Sequence, residues 1–169
     1  EEPLFIDWFR ENGYHVVVPQ ETNEGEGDFL LAGDVILAGT GFRSTGESHR
    51  EVGEVFGKPV VSLTLVDPRF YHLDTALAVL DPVEGSGGVE RANIAYLPGA
   101  FSERSQAILT ERYPDAIRVS DADGAVFGLN SASDGLNVII SPRAVGFEAQ
   151  LRERGYNPIT VDLSELLLG

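Results

Sequence analysis

Along most of this chain, short apolar runs alternate with stretches whose apolar residues return every three or four positions, the pattern of strands interleaved with helices. Asp28 to Ala32 and Val35 to Ala38 are two such runs, joined by Gly33-Asp34, a pair suited to a hairpin turn. Ser44 or Thr45 offers a cap to a helix running to about Phe56 and closed by Gly57, and Pro59 to Val66 reads as a further strand. The order strand, strand, helix, strand then recurs. Thr75 to Leu80 and Ala92 to Leu97 are the next pair, followed by a helix from Glu103 to Tyr113 capped by Ser102 and a strand from Ala116 to Val119. A glycine-rich loop, Glu84-Gly85-Ser86-Gly87-Gly88, lies between the paired runs. A third copy takes Ala125 to Leu129, Val138 to Ser141, a helix from about Pro142 to Arg154 stopped by Gly155, and Pro158 to Val161.

First strands thus begin near positions 28, 75 and 125, a period close to fifty residues. A single ββαβ unit cannot bury its own apolar face, so repetition at this length predicts a solenoid or a propeller. The units span about 28–66, 75–119 and 125–161. Ahead of them, residues 3 to 12 have helical spacing with Pro3 near the start and Gly13 as a stop, and His15 to Pro19 reads as a short strand. Residues 3–18 are therefore expected to be the trailing half of an earlier unit, and a short helix over Leu163 to Leu168 follows the last. The fold class expected is α+β, one partial domain over 1–169 with about three and a half units.

Composition narrows the partners. The chain carries 27 acidic against 12 basic residues, a formal net charge of -15, which disfavours nucleic acid and anionic membranes and favours a cationic ligand. It contains no cysteine and no methionine, so disulfides, thiolate metal sites and a cysteine nucleophile are excluded within these residues. No apolar run reaches transmembrane length and no secretory leader is recognisable, so a cytoplasmic location is expected. The first residue, Glu1, and the abrupt end at Gly169 predict a piece of a longer protein.

Two stretches carry candidate chemistry. His72 and Asp74 sit one residue apart at the mouth of an apolar run, and strand periodicity would send both to the same face. Glu24, Glu26 and Asp28 alternate with glycines and precede the first unit as His72 and Asp74 precede the second. Equivalent repeat positions converge on the axis of a ring, which predicts four acids and one imidazole in a central funnel. Clustered carboxylates repel unless a cation neutralises them. Oxygens alone would suit calcium or magnesium, and histidine with acids would suit zinc or iron. A planar guanidinium fits better, because paired carboxylates match its fork of N–H groups. Arg43 either pairs with the acids or holds a substrate carboxylate, the latter giving a site for a zwitterionic amino acid. His49 is expected on a solvated helix face and His15 on a strand without a role.

Glu24-Gly25-Glu26-Gly27-Asp28, Gly41-Phe42-Arg43-Ser44 and His72-Leu73-Asp74-Thr75, in order on ββαβ units, resemble the guanidino-modifying superfamily. That group holds dimethylarginine dimethylaminohydrolases, arginine deiminases and glycine amidinotransferases, and the run of this chain looks most like the bacterial dimethylarginine hydrolases. The resemblance implies a five-bladed α/β propeller (pentein), a guanidino substrate, no cofactor and no metal, and allows a homodimer. It implies that His72 is the general acid/base with Glu24 as its catalytic partner, Glu26 being the alternative because an extra residue precedes Asp28 relative to the common Glu-Gly-Gly-Asp. Asp74, Asp28 and Glu26 would bind the guanidinium and Arg43 the substrate carboxylate. Such enzymes attack with a cysteine, so these 169 residues alone are expected to bind but not turn over. The alternatives are an arginine deiminase or amidinotransferase, a non-catalytic pentein module, and a metal-dependent hydrolase using Glu24, Asp28, His72 and Asp74.

Overall fold

The computed structural model describes residues 2–81 and 92–162, so the glycine-rich loop at 84–88 and the helix expected over 163–168 lie outside the described residues. Helix α1 (Glu2–Glu11) forms where the spacing placed it, with Gly13 in a left-handed conformation beyond its end. His15 to Pro19 is not a strand: these residues pair with no neighbour among the described residues, and β-branched side chains alone do not make a ladder.

The first unit follows the pattern closely. Strands β1 (Phe29–Ala32) and β2 (Val35–Thr40) pair antiparallel around Gly33, whose φ of 63° the tight turn requires. The Thr45 side chain accepts from the Ser48 amide to cap α2 (Gly46–Phe56), which ends on left-handed Gly57. Strand β3 (Val60–Thr64) returns parallel to β2, leaving β2 at the centre of a three-stranded sheet.

Two further sheets repeat that pairing. A helical turn, α3 (Leu73–Ala76), leads into β4 (Leu77–Val79), which pairs antiparallel with β5 (Ile94–Tyr96). Helix α4 (Glu103–Arg112) is capped by Ser102, and β6 (Ile117–Arg118) lies parallel to β5. In the third unit a turn, α5 (Asp121–Gly124), precedes β7 (Ala132–Ser133) and β8 (Asn137–Ile140). Helix α6 (Val145–Glu153) then carries the chain to β9 (Asn157–Thr160), parallel to β8. The ββαβ repeat is real.

Neighbouring units are tied by backbone and core. Ser102 N donates to Thr64 O at 3.0 Å and Val66 N to Ala100 O at 2.9 Å, joining β3 to the start of α4. One continuous core runs through all three, with Leu37, Leu73, Leu77, Ile94, Phe101 and Phe147 fully buried. Each such side chain contributes about 1.5–3 kcal/mol relative to exposure.

Three further expectations need correction. The apolar run at Thr75 to Leu80 becomes strand only from Leu77, because residues 73–76 close a helical turn; a buried turn and a buried strand have the same apolar composition. Ala125 to Leu129 forms no strand. Phe127 adopts φ 58° and Gly128 N donates to Asp123 O, folding this stretch into a loop, and the strand appears at Ala132 instead. His49 is not solvated: it is buried on the face of α2 that packs against the sheet, with Nδ1 2.7 Å from Ser62 Oγ and Nε2 3.1 Å from Gly39 O. A carbonyl can only accept, so Nε2 carries a proton, and in the neutral ring Nδ1 then accepts from the serine.

Candidate active site

Each unit begins with one helical turn: a 3-10 turn at Gly25–Gly27, then α3, then α5, with first residues Gly25, Leu73 and Asp121 spaced 48 residues apart. These turns, rather than strand ends, carry the candidate chemistry. His72 caps α3 in an extended conformation (φ -120°, ψ 149°), and Asp74 lies inside the turn. They are brought together by a helical turn and not by strand alternation.

The anchor of the site is Asp28, a carboxylate only 1% exposed. Its Oδ1 accepts the Leu73 amide at 3.0 Å and its Oδ2 the Ser44 hydroxyl at 2.6 Å, so it pins the start of α3 to the loop before α2. Backbone and hydroxyl donors satisfy the buried charge, as burial requires. A side chain at Gly39 would not fit here: a Cβ would lie 2.9 Å from Leu73 Cβ and 3.2 Å from Asp28 Oδ1.

His72 Nδ1 lies 3.6 Å from Asp28 Oδ1, too far for a hydrogen bond, and is buried without another partner. The side chain as a whole is 21% exposed, so the open edge of the ring is the one away from Nδ1. Gly27 makes room for it, since a Cβ there would stand 3.3 Å from Nδ1. An imidazole with one nitrogen buried beside a carboxylate and its other edge open has the arrangement a proton shuttle needs, and such contacts are often long before ligand binds.

Asp74 is half-buried. Burial pushes its carboxyl above the usual aspartate range, the nearby Asp28 and Glu26 carboxylates push the same way, and His72 and the Asn130 amide oppose them. Asn130 Nδ2 donates to Asp74 Oδ2 at 3.0 Å. Glu26 is exposed at the rim.

Glu24 is turned elsewhere. Its Oε1 lies 3.4 Å from Arg43 Nη1 in an exposed pair, while it is Asp28 that stands within ion-pair distance of His72. The Arg43 guanidinium sits 5.2 Å above the Tyr71 ring, and that ring packs 4.8 Å from His72. All six residues singled out in the sequence therefore share one region. Asp28, expected to contact a ligand, has both oxygens engaged within the chain. Asn130, Ser44 and Tyr71 were given no role at the site, although Ser44 closes a recognised motif and Tyr71 adjoins one; Asn130 is 56 residues from Asp74 and has no local signal.

A cavity of about 340 Å³ opens beyond Glu26, lined mainly by Phe29, Leu31, Ile36, Val52 and Phe56. His72, Asp74 and Arg43 do not line it. Among the described residues, no group of three or more His, Cys, Asp or Glu is placed to hold a metal ion, and no helix is long and apolar enough to cross a membrane.

No family model matches the chain. Individual proteins do. Over all 169 residues it is 52% identical to N(G),N(G)-dimethylarginine dimethylaminohydrolase of Mycobacterium tuberculosis, covering 53% of that protein. It is 36% identical to the bifunctional arginine dihydrolase/ornithine cyclodeaminase ArgZ of Synechocystis, with 99% of this chain matched and 23% of ArgZ covered. The chain thus spans about half the length of the first relative and about a quarter of the second. Among solved structures, a cysteine-to-serine mutant of the ArgZ N-terminal domain bound to substrate superposes with a TM-score of 0.84 at 35% identity, over 99% of this chain and 60% of that one. The dimethylarginine hydrolase of Pseudomonas aeruginosa complexed with citrulline matches with a TM-score of 0.71 at 21% identity, over 98% of this chain and 60% of that one, which shows a shared mixed α/β fold. The resemblance read from three short motifs is a homology that runs the length of the chain.

Proposed function

We propose, on the premise of this homology, that the chain carries the proton-shuttling and cation-binding half of a hydrolase that opens a C–N bond of a guanidino compound, with methylated arginine as substrate class. Dimethylarginine would yield citrulline and dimethylamine. The observation that carries the reading is the arrangement at His72, with Nδ1 buried against Asp28 and the far edge of the ring open beside Asp74. A flat cation seated on Asp74 and Glu26 brings its central carbon alongside that open edge.

The chemistry needs a nucleophile from outside these 169 residues, which hold no cysteine. A cysteine thiolate adds to the guanidinium carbon and a C–S bond forms. The C–N bond to dimethylamine breaks as His72 delivers a proton to the leaving nitrogen. Water, deprotonated by the same imidazole, then adds to the thiouronium carbon, the C–S bond breaks, and citrulline leaves with the thiolate restored.

Asp28 positions His72 rather than touching substrate. Arg43 takes the carboxylate of the amino acid, and its departure from Glu24 leaves that carboxylate free as a partner to the guanidinium and His72. The three units form consecutive blades of a five-bladed propeller, a reading supported by their identical strand pairing. A cytoplasmic setting and a homodimer belong to the same proposal.

A second reading, arginine as substrate with ammonia leaving, is favoured by the likeness to structures described as an arginine dihydrolase. Supplying dimethylarginine and arginine separately to the intact protein distinguishes the two. Citrulline with dimethylamine supports the first reading, and citrulline from arginine alone supports the second. Amidine transfer to glycine, or binding without turnover, overturns both.

A further inference from the structure

In the first two units the opening turn runs directly into the first strand: Gly25–Gly27 and one residue precede β1, and α3 passes into β4 without a gap. The third unit breaks this rule. Seven residues, 125–131, separate α5 from β7. They are not slack. Leu129 is 1% exposed in the core, Gly128 N donates to Asp123 O at 3.0 Å, and Asn130 N donates to Phe127 O at 3.2 Å. Gly128 sits so close to its surroundings that a Cβ would meet Ala144 Cβ at 2.7 Å and Asp123 O at 2.8 Å. Phe127 holds φ 58°, a left-handed conformation that a bulky residue keeps only where its surroundings enforce it.

This rigid loop ends in one exposed polar side chain that reaches into the neighbouring unit. The Asn130 amide donates to Asp74 Oδ2 at 3.0 Å and approaches the Asp74 carbonyl at 3.5 Å. Asp74 needs such a donor. It is half-buried, it faces the carboxylates of Asp28 and Glu26, and only the His72 ring and the Asn130 amide favour its charged form. With Oδ2 held, Oδ1 remains for a ligand. A neutral or rotated Asp74 would offer a cation far less.

We propose that Asn130 is a positioning residue: the loop that interrupts the repeat brings its amide to Asp74 and fixes that carboxylate, charged and oriented, for a guanidinium. This deepens the proposed function and rests on it for the nature of the ligand.

The test uses the intact protein and three substitutions, Asn130→Ala, Asn130→Asp and Asn130→Gln, with two readouts. The first is the titration of the Asp74 carboxyl carbon by NMR, which requires no ligand. The second is the dissociation constant for arginine and for dimethylarginine. Asn130→Ala is expected to raise the Asp74 midpoint and weaken both ligands about tenfold or more, the loss of one hydrogen bond to a charged group. Asn130→Asp raises the Asp74 midpoint further through like charge, and Asn130→Gln recovers part of the loss. Because Asn130 is exposed, the urea unfolding midpoint of all three variants is expected to stay near wild type in acid, where Asp74 is protonated folded and unfolded, which separates positioning from a structural role. An unchanged Asp74 titration in Asn130→Ala overturns the proposal, as does ligand affinity within twofold of wild type. A shifted Asp74 midpoint in a protein that binds neither guanidino ligand overturns the proposed function instead and leaves the Asn130–Asp74 coupling standing.

Discussion

Oδ1 of Asp28 accepts the backbone amide of Leu73 at 3.0 Å, joining residues 45 positions apart and fixing where the turn that carries His72 begins. The candidate site is organised around that contact, because the same oxygen faces His72 Nδ1 and the other oxygen holds Ser44.

Asp28→Ala is therefore expected to strand two donors, the Leu73 amide and the Ser44 hydroxyl, in a buried site. The loss is about 2–6 kcal/mol, since each orphaned buried group costs about 1–3 kcal/mol. Asp28→Asn keeps an acceptor for Leu73 and can present its amide to the Ser44 oxygen, so it costs less. Urea unfolding of the two variants side by side checks the order; equal losses would mean that Asp28 acts through its charge and not through its hydrogen bonds.

Gly39 lies against the same anchor from β2. In Gly39→Ala, the new methyl would stand 2.9 Å from Leu73 Cβ, an atom rooted in the backbone that cannot swing aside. Overpacking of this kind costs about 1–3 kcal/mol. Thermal unfolding should fall, and the His72 ring signals in NMR should move because the strain is relieved by shifting α3. A variant with wild-type melting and unmoved His72 signals would contradict the close packing of Gly39 against α3.

Two partly buried carboxyls, Asp74 and Asp81, lower the stability of the protein above the ordinary aspartate range. Burial raises the Asp74 carboxyl above its ordinary value, and burial does the same to Asp81 against the opposing hydrogen bond from Tyr156. A group that holds its proton more tightly folded than unfolded favours the native state while protonated, so stability falls as pH rises from the ordinary aspartate range through the raised value. Below that range both states are protonated and the effect vanishes. Asp74→Asn removes the ionisation and can still accept from Asn130. Its melting temperature is expected to match wild type in acid and exceed it at neutral pH, and a constant difference at every pH would contradict this. The same substitution should abolish guanidinium binding, the familiar opposition between stability and function.

How far this was legible in the sequence depends on the range of the interaction. The ββαβ order could be read because turn glycines such as Gly33 and Gly57 and the caps Thr45 and Ser102 act within a few residues. His72 and Asp74 do lie together, but through a four-residue helical turn and not strand alternation, since such a turn and a strand mouth look alike in an apolar run. His49 was misread because charged neighbours on α2 hid the face it shares with Ser48, which is also buried. Asn130 was invisible for a deeper reason. Its partner lies in another unit, and the loop that delivers it departs from the period on which the reading relied.

Arg43 gives the most direct check on the substrate. Its pair with Glu24 is exposed at both ends, and such pairs are worth about 0–1 kcal/mol, so Arg43→Ala should leave unfolding essentially unchanged. If Arg43 instead serves the carboxylate of an amino acid, its removal should weaken arginine by about tenfold, the scale of one charge-assisted contact. A guanidino ligand of the same length without a carboxylate should bind the variant and the wild type alike, because it never met Arg43. Arg43→Lys should recover little, since an ammonium cannot reproduce the bidentate fork or the stacking of the guanidinium over Tyr71. Equal weakening of both ligands would place Arg43 at the guanidinium end, beside Glu24 and Tyr71, and reverse the orientation of substrate in the site.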